Sequence, residues 1–232
     1  MSDVPTVQNP LLMLDYDGTL AEVVDNPDEA HPHKDVPELL QKLNEAHPVY
    51  IVTGRAADDL SNLLHVEGLR VIGVHGMEEG VLGGEVTPSV SEEDLKTLEK
   101  VRQNLPAIDG LNVEDKRSAI AFHYREVSAE GREKLESWAS QQPGNLSRLW
   151  GKNVLELRPE GYSKGRAVER LVEEHSDKEP VFIGDDTTDE EAFEVLAELD
   201  KGLSIKVGQG ETNARERLEG VDAVVAYLKR YL

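Results

Sequence analysis

Cysteine is absent from the 232-residue chain, which excludes disulfides, thiolate zinc sites and cysteine nucleophiles. No apolar run approaches the roughly 18 residues that a membrane-spanning helix needs. Positive charge is scarce: 25 Lys and Arg stand against 46 Asp and Glu, a formal net charge of −21. Nucleic acid and anionic membranes are poor partners for such a surface. The global field does not steer a phosphorylated ligand here, so an anion site has to be built locally from cations, metal and backbone N–H groups. The ordinary reading of the acidity is a solubility shell. Adaptation to a salty cytoplasm, where screening relaxes self-repulsion, is the sharper one. Met1 to Pro10 is polar and lacks a basic-then-apolar signal, so a cytoplasmic address is expected. The chain carries no internal repeat or low-complexity segment.

What is present is a globular composition, 38% hydrophobic and 31% charged, in a length that suits one large domain or two small ones. The first third alternates apolar runs with helical patterns. Leu11–Leu14, Val49–Val52 and Leu69–Val74 read as strands, and Asp35–Ala46 and Ala57–Leu64 as helices. Strands separated by helices imply βαβ units and a parallel sheet. The middle changes character. A hairpin-like turn at Leu82-Gly83-Gly84-Glu85 leads into helices from Ser91 to about Leu105 and from Ala129 to about Gln141. Strand-like stretches fall at Leu111–Glu114, Ser118–Tyr124, Leu146–Trp150 and Val154–Arg158. The βα rhythm returns from Gly161, with helices at Lys164–Glu174, Glu190–Leu199 and Ala223–Leu232 and strands at Pro180–Ile183 and Leu203–Val207. The expected organisation is an α/β core, residues 1–80 and 160–232, interrupted by an α+β insertion, residues 81–159.

Three of the core's strand ends and one helix start carry polar groups, and ligands of open α/β sheets bind outside the carboxyl ends of the strands. Behind Leu11–Leu14 stands Asp15-Tyr16-Asp17-Gly18-Thr19. Two like charges this close are most easily offset by a cation or a proton. Asp15 suits a nucleophile and Asp17 a general acid and base, while an Asp-rich turn is the plain alternative. A calcium loop fits poorly, because Gly18 is at the wrong offset and the required Glu is missing. Gly184-Asp185-Asp186-Thr187-Thr188-Asp189 suits a hard oxygen-ligand site such as magnesium. It also suits a charged helix N-terminus, with Asp185 the better ligand and Asp189 the better capping residue. Thr53-Gly54-Arg55 can hold a phosphate oxygen or form an ordinary turn. Lys164, at a helix start where the macrodipole disfavours a cation, is a partner of carboxylates and phosphate or a solvated lysine. Taken together the four match phosphoryl transfer through an aspartyl-phosphate.

This ordered set, Asp15-Tyr16-Asp17-Gly18-Thr19, Thr53, Lys164 and Gly184-Asp185-Asp186, resembles the four motifs of the haloacid-dehalogenase-like (HAD) phosphatases. The resemblance spans the whole chain. A finer likeness is to the trehalose-6-phosphate phosphatase branch. It is carried by Leu14–Leu20, Val52-Thr53-Gly54-Arg55, Val74-His75-Gly76, Glu114-Asp115-Lys116 with His123-Tyr124-Arg125, Glu156-Leu157-Arg158-Pro159 and Gly184–Glu190. The resemblance implies a Rossmann-like, doubly wound parallel-sheet core with an inserted α+β cap of the C2 type, and Mg2+ as cofactor. It implies that Asp15 attacks phosphorus, that Asp17 is acid and base, and that Thr53 and Lys164 hold the phosphoryl group. The metal would rest on Asp15, the Asp17 carbonyl and Asp185, with Asp186 and Asp189 mainly orienting. Gly54, Arg55, His75, Glu114, Lys116, Glu156 and Arg158 would contact substrate. His75 and Arg158 have structural alternatives, a satisfied histidine and a brace at the junction. His31, His33, His47, His65 and His175 show no paired metal spacing and read as surface residues. The family commonly has Gly after the cap lysine, where this chain has Arg117. The implied substrate is a sugar phosphate: trehalose 6-phosphate first, or sucrose 6-phosphate, mannosyl-3-phosphoglycerate or another. The rival of a different class is a non-catalytic Mg2+- or phosphate-binding regulatory domain. The oligomeric state stays open, a monomer being one option, and so does association with a synthase.

Overall fold

The apolar runs at the start of the chain lie in the middle of a sheet. The structure, a computed structural model, describes residues 4–151 and 153–232; the first three residues of the polar N-terminal stretch lie outside these. The chain divides into two compact units, residues 1–87 with 162–232, and 88–161. The first begins with β1 (Pro10–Leu14), α1 (Val36–Ala46), β2 (Val49–Val52), α2 (Ala57–Leu63), β3 (Arg70–Gly73), β4 (Glu78–Val81) and β5 (Val86–Pro88). The second holds α3 (Glu92–Arg102), β6 (Asn112–Asp115), β7 (Ile120–His123), α4 (Ala129–Ser140), β8 (Leu146–Gly151) and β9 (Val154–Pro159). The chain then completes the first unit with α5 (Lys164–Glu174), β10 (Glu179–Gly184), α6 (Thr187–Glu198), β11 (Leu203–Val207), β12 (Glu216–Leu218) and α7 (Val221–Leu228).

The first unit is an eight-stranded sheet in the order β12-β11-β10-β1-β2-β3-β4-β5. The pairs from β12 through β3 are parallel, and β4 is antiparallel to β3. Side chains alternate across a strand, and β1 shows what that does here. Leu12 and Leu14 join one core with α1, α2 and α7, while Leu11 and Met13 join the other with α5 and α6. Both faces are covered, so β1 is buried at every position and reads as an unbroken apolar run. This is the doubly wound α/β core expected from the sequence. Its topological switch point lies at β1 and β10, where ligands of such sheets bind.

The second unit is a four-stranded antiparallel sheet in the order β6-β7-β9-β8. α3 and α4 cover one face through Leu98, Val101, Leu135 and Ala139, packed on Ile120, Phe122, Leu155 and Leu157. The opposite face carries Glu114, Ala121 and Glu156 in register.

Several details differ from the expectations. The units divide at 87/88 and 161/162 rather than at 80/81 and 159/160, because β4 and β5 extend the first sheet beyond residue 80. α6 starts at Thr187, not Glu190, because Asp186 and Asp189 form a capping box with the helix backbone. β4, β5 and β12 have no apolar run to announce them. His33, His47 and His175 are half-buried at the surface and bonded to Asp222, to the Tyr231 carbonyl and to the Tyr50 hydroxyl, so they are not free surface residues.

Candidate active site

β1 and β10 run side by side with Leu14 opposite Ile183, so the residues that follow them, Asp15 and Gly184-Asp185, emerge together. The Asp15 N–H donates to the Ile183 carbonyl at 2.9 Å, which fixes the start of the loop. The chain then turns back on the Tyr16 carbonyl, which accepts from the Leu20 N–H at 2.8 Å. Gly18 has φ +76, and a Cβ there would lie 2.0 Å from Asp185 Oδ2. Glycine is therefore required twice, for the left-handed turn and for the close approach of Asp185.

Lys164, the first residue of α5, is not solvated. It is 2% exposed, and its Nζ donates to Asp15 Oδ1 at 2.6 Å and to Asp189 Oδ1 at 2.7 Å. Ser163 caps the helix by accepting from the Arg166 N–H. The two carboxylates offset both the burial of the ammonium and its unfavourable place in the helix dipole. They hold Lys164 above the usual lysine range, although burial pulls the other way.

The carboxylate oxygens that converge belong to Asp15, Asp185 and Asp189, all within 4.8 Å of one another. Asp189 is fully buried, and its Oδ2 accepts from the N–H groups of Asp185 and Asp186 at 2.8 and 3.0 Å. Asp186 turns to the helix instead: its Oδ1 accepts from the Thr188 N–H and hydroxyl and from the Asp189 N–H. Burial pushes the Asp186 carboxyl up, but Lys164 and the Thr188 hydrogen bonds outweigh it and hold it below the usual range. The opposite holds at the cluster. Burial, with Asp189 and Asp185 nearby, raises the Asp15 carboxyl well above the usual range. Burial, with Asp189 and Asp186, pushes Asp185 up to about 6. An excess of buried negative charge among hard oxygen donors fits a divalent cation of the magnesium type.

β2 delivers Thr53, which is 1% exposed; its Oγ1 accepts from the Arg55 N–H at 3.1 Å. Arg55 grips Asp17 with two parallel hydrogen bonds, Nε to Oδ2 and Nη2 to Oδ1, each 2.7 Å. It also donates to the Pro27 carbonyl at 2.9 Å and lies over the Tyr16 ring. Two residues at the end of β3, Val74 (φ 46) and His75 (φ 54), have left-handed backbones. For a β-branched residue this is an outlier, and such strain collects at functional sites. It lays the His75 ring against Gly54, where a Cβ would come within 2.7 Å of the imidazole.

In the second unit, Lys116 Nζ donates to Glu156 Oε2 at 3.1 Å, and the His123 ring pairs with Glu114 Oε2 at 2.8 Å. Glu156 and Arg158 are both buried. Glu114 and Glu156 share one face of the sheet, and each has its own partner, His123 and Lys116. Arg117, where the resemblance leads one to expect Gly, adopts φ +60, the conformation that glycine favours. The Arg117 N–H donates to Asp115 Oδ1 at 3.0 Å, and Arg102 donates to the Arg117 carbonyl and, twice, to the Asp115 carboxylate. The turn is therefore kept without glycine.

The sequence pattern of the trehalose-phosphatase family matches residues 13–223. The chain belongs to the trehalose-phosphatase family. A probable trehalose-phosphate phosphatase D of Arabidopsis thaliana is 33% identical over 95% of this chain and 66% of its own length, so the chain spans about two thirds of that relative. A bifunctional trehalose-6-phosphate synthase/phosphatase of Thermoproteus tenax is 37% identical over 94% of this chain but only 31% of its own length. The crystal structure of a trehalose-6-phosphate phosphatase related protein superposes with a TM-score of 0.76 at 29% identity, covering 94% of this chain and 95% of that one. A HAD-superfamily phosphatase from Bacteroides thetaiotaomicron shares the fold at 18% identity, with a TM-score of 0.64 over 96% and 94% of the two chains. The family match covers every core motif described above.

Two residues of the site carry little signal in the sequence. Asp189 reads there as a capping or orienting residue, yet its carboxylate sits inside the cluster. Lys206, buried at the end of β11, donates to the Asp185 carbonyl. Its one signal is a lysine within the otherwise apolar-patterned strand Leu-Ser-Ile-Lys-Val.

Proposed function

We propose that the chain is a phosphomonoesterase that hydrolyses trehalose 6-phosphate to trehalose and phosphate through a phosphoaspartate at Asp15. The observation that carries the reading is the buried Asp15 carboxylate, held by Lys164 beside Asp185 and Asp189, in a chain of this family. In the first half-reaction an Asp15 oxygen forms the bond to phosphorus while the bond from phosphorus to the sugar oxygen breaks. Asp17 gives its proton to the leaving oxygen. In the second, Asp17 takes a proton from water, whose oxygen attacks phosphorus and releases phosphate and free Asp15. Lys164 and the Thr53 hydroxyl hold the phosphoryl oxygens. Arg55 keeps Asp17 in place between the two proton transfers, and His75 and Gly54 flank the Thr53 turn. Mg2+ would be held by Asp15, Asp185 and the Asp17 carbonyl, and would supply neutralisation of the phosphoryl charge.

Glu114, Lys116, Glu156 and Arg158 of the second unit bind the sugar. They offer donors and acceptors together, which a sugar requires because buried hydroxyls must be paired. The expected result is phosphate release from trehalose 6-phosphate that exceeds release from sucrose 6-phosphate and other sugar phosphates. It should stop with a chelator and be absent in Asp15→Asn. An Asp15→Asn variant with undiminished turnover would remove the covalent mechanism. Equal rates across the sugar panel would remove the substrate assignment.

A further inference from the structure

Lys206 has no part in the scheme above, yet it is 5% exposed. An ammonium group is costly to bury unless partners hold it, so a lysine here needs a reason that packing does not supply. Register places Lys206 opposite Gly184, the last residue of β10. Its side chain thus begins beside the strand end that presents Asp185, and its Nζ donates to the Asp185 backbone carbonyl. The N–H of the same residue is held from the other side by Asp189 Oδ2 at 2.8 Å. Both backbone polar atoms of Asp185 are therefore gripped by buried side chains, one from β11 and one from α6. The Asp185 carboxylate lies where a Gly18 side chain would otherwise stand. Asp185 is thus fixed at its N–H and its carbonyl, and its carboxylate lies against Gly18.

We propose that Lys206 is a positioning residue for Asp185, fixing the carboxylate on which the divalent cation rests. This depends on the metal reading given under the proposed function. Lys206 also completes the charge of the cluster. With all groups ionised, Asp15, Asp185, Asp186 and Asp189 carry four negative charges and Lys164 and Lys206 two positive ones. The remainder of two is the complement of a divalent ion.

The two effects of Lys206 predict opposite results when it is removed, and that makes the proposal decidable. Lys206→Met keeps the length of the side chain but removes charge and donor. If charge alone mattered, the more negative cluster would bind Mg2+ more tightly. If positioning matters, binding weakens, by roughly 10–100-fold as for other groups that orient a metal ligand. Titration calorimetry of Mg2+ into the wild type, Lys206→Met and Lys206→Arg reads this directly, with circular dichroism confirming the fold. The expected result is weaker binding in Lys206→Met and affinity close to the wild type in Lys206→Arg. In activity assays the Mg2+ concentration for half-maximal rate should rise by the same factor as the dissociation constant, while kcat at saturating Mg2+ recovers. Lys206→Met that binds Mg2+ as tightly as the wild type, or more tightly, overturns the proposal. So does Lys206→Arg that loses as much as Lys206→Met. Should Lys206→Met fail to fold, Lys206→Leu, which also lacks charge and donor, is titrated in its place under the same criterion. A wild type that binds no Mg2+ at all would overturn the metal reading itself, a distinct outcome.

Discussion

Lys164 shows most directly how much the site depends on single residues. It is the one cation bonded to both Asp15 and Asp189 among the described residues, and all three groups are buried. Removing one partner of a buried ion pair leaves its charge uncompensated, at a cost of about 3–5 kcal/mol. Lys164→Met is therefore expected to lower the metal-free stability by that order in urea melts at neutral pH, with added Mg2+ restoring part of it. A loss under about 1 kcal/mol would mean that the cluster holds little net charge. Arg117 makes the opposite case. A non-glycine residue in the left-handed region costs about 1–2 kcal/mol, and glycine gives back about 0.5–1 kcal/mol through the unfolded chain's entropy. Arg117→Gly should thus melt at the same temperature or slightly higher, and calorimetric scanning would show it; a clear fall would mean that the Arg117 side chain holds the turn. Asp15, Lys164 and Asp185, which converge in the structure, are legible in the sequence because each follows an apolar run or opens a helix. That Asp189 joins the cluster while Asp186 caps the helix is not legible. Both lie at the start of α6, and only the direction of the capping hydrogen bonds separates them. Lys206 escapes for a different reason: its partner is a backbone carbonyl, and a backbone carries no sequence signal.

Among the elements, the strands with unbroken apolar runs can be read to within a residue or so, because burial on both faces leaves no other composition. The edge strands cannot. β5 is half-exposed or exposed along its length, and β12 has three residues, so neither carries an apolar pattern. α7, expected to run to Leu232, ends at Leu228 and is followed by a 3-10 turn over Lys229–Tyr231. This end of the chain fastens the N-terminal segment to α7 and the turn that follows it. The Tyr227 hydroxyl donates to the Pro5 carbonyl at 2.8 Å and meets the Tyr231 hydroxyl at 2.8 Å. Arg230 donates to the Val4 carbonyl at 2.6 Å. Burial, reinforced by the Tyr231 hydrogen bond, keeps the Tyr227 hydroxyl well above its ordinary range near 10. A folded-state pKa above the unfolded value gives stability that is complete below about pH 10 and lost as the pH rises further, because only the unfolded chain can then ionise. Tyr227→Phe should cost about 1–2 kcal/mol at about pH 8, where it leaves the Pro5 carbonyl without its donor. The difference from the wild type should shrink toward about pH 11, since the variant lacks the group that titrates. Urea melts at the two pH values measure this, and an unchanged difference would show that Tyr227 titrates alike in both states.

For the whole molecule, the interrupted order is legible because the βα rhythm stops near residue 82 and resumes near residue 161. The place of the boundary is less so, since β4 and β5 belong to the first unit's sheet without its apolar composition. The net charge of −21 acts at the same scale. Exposed ion pairs such as Lys42–Glu38 and Lys134–Glu130 contribute little and weaken in salt. With 46 acidic against 25 basic residues, at least 21 carboxylates have no cation to match, so repulsion between like charges outweighs the pairs. Salt screens attraction and repulsion alike, and the stronger of the two decides the sign: stability should rise with ionic strength. The Debye length falls from about 30 Å at 0.01 M to about 10 Å at 0.1 M and about 3 Å at 1 M. Most of the screening over distances between surface neighbours is therefore complete by a few tenths molar. A solubility shell predicts that the melting temperature climbs up to that point in KCl and then levels. Adaptation to a salty cytoplasm predicts a continued climb through molar KCl. A melting series from low to molar KCl separates the two, and a melting temperature that falls from the first addition of salt would refute both by showing that attractive pairs dominate the surface.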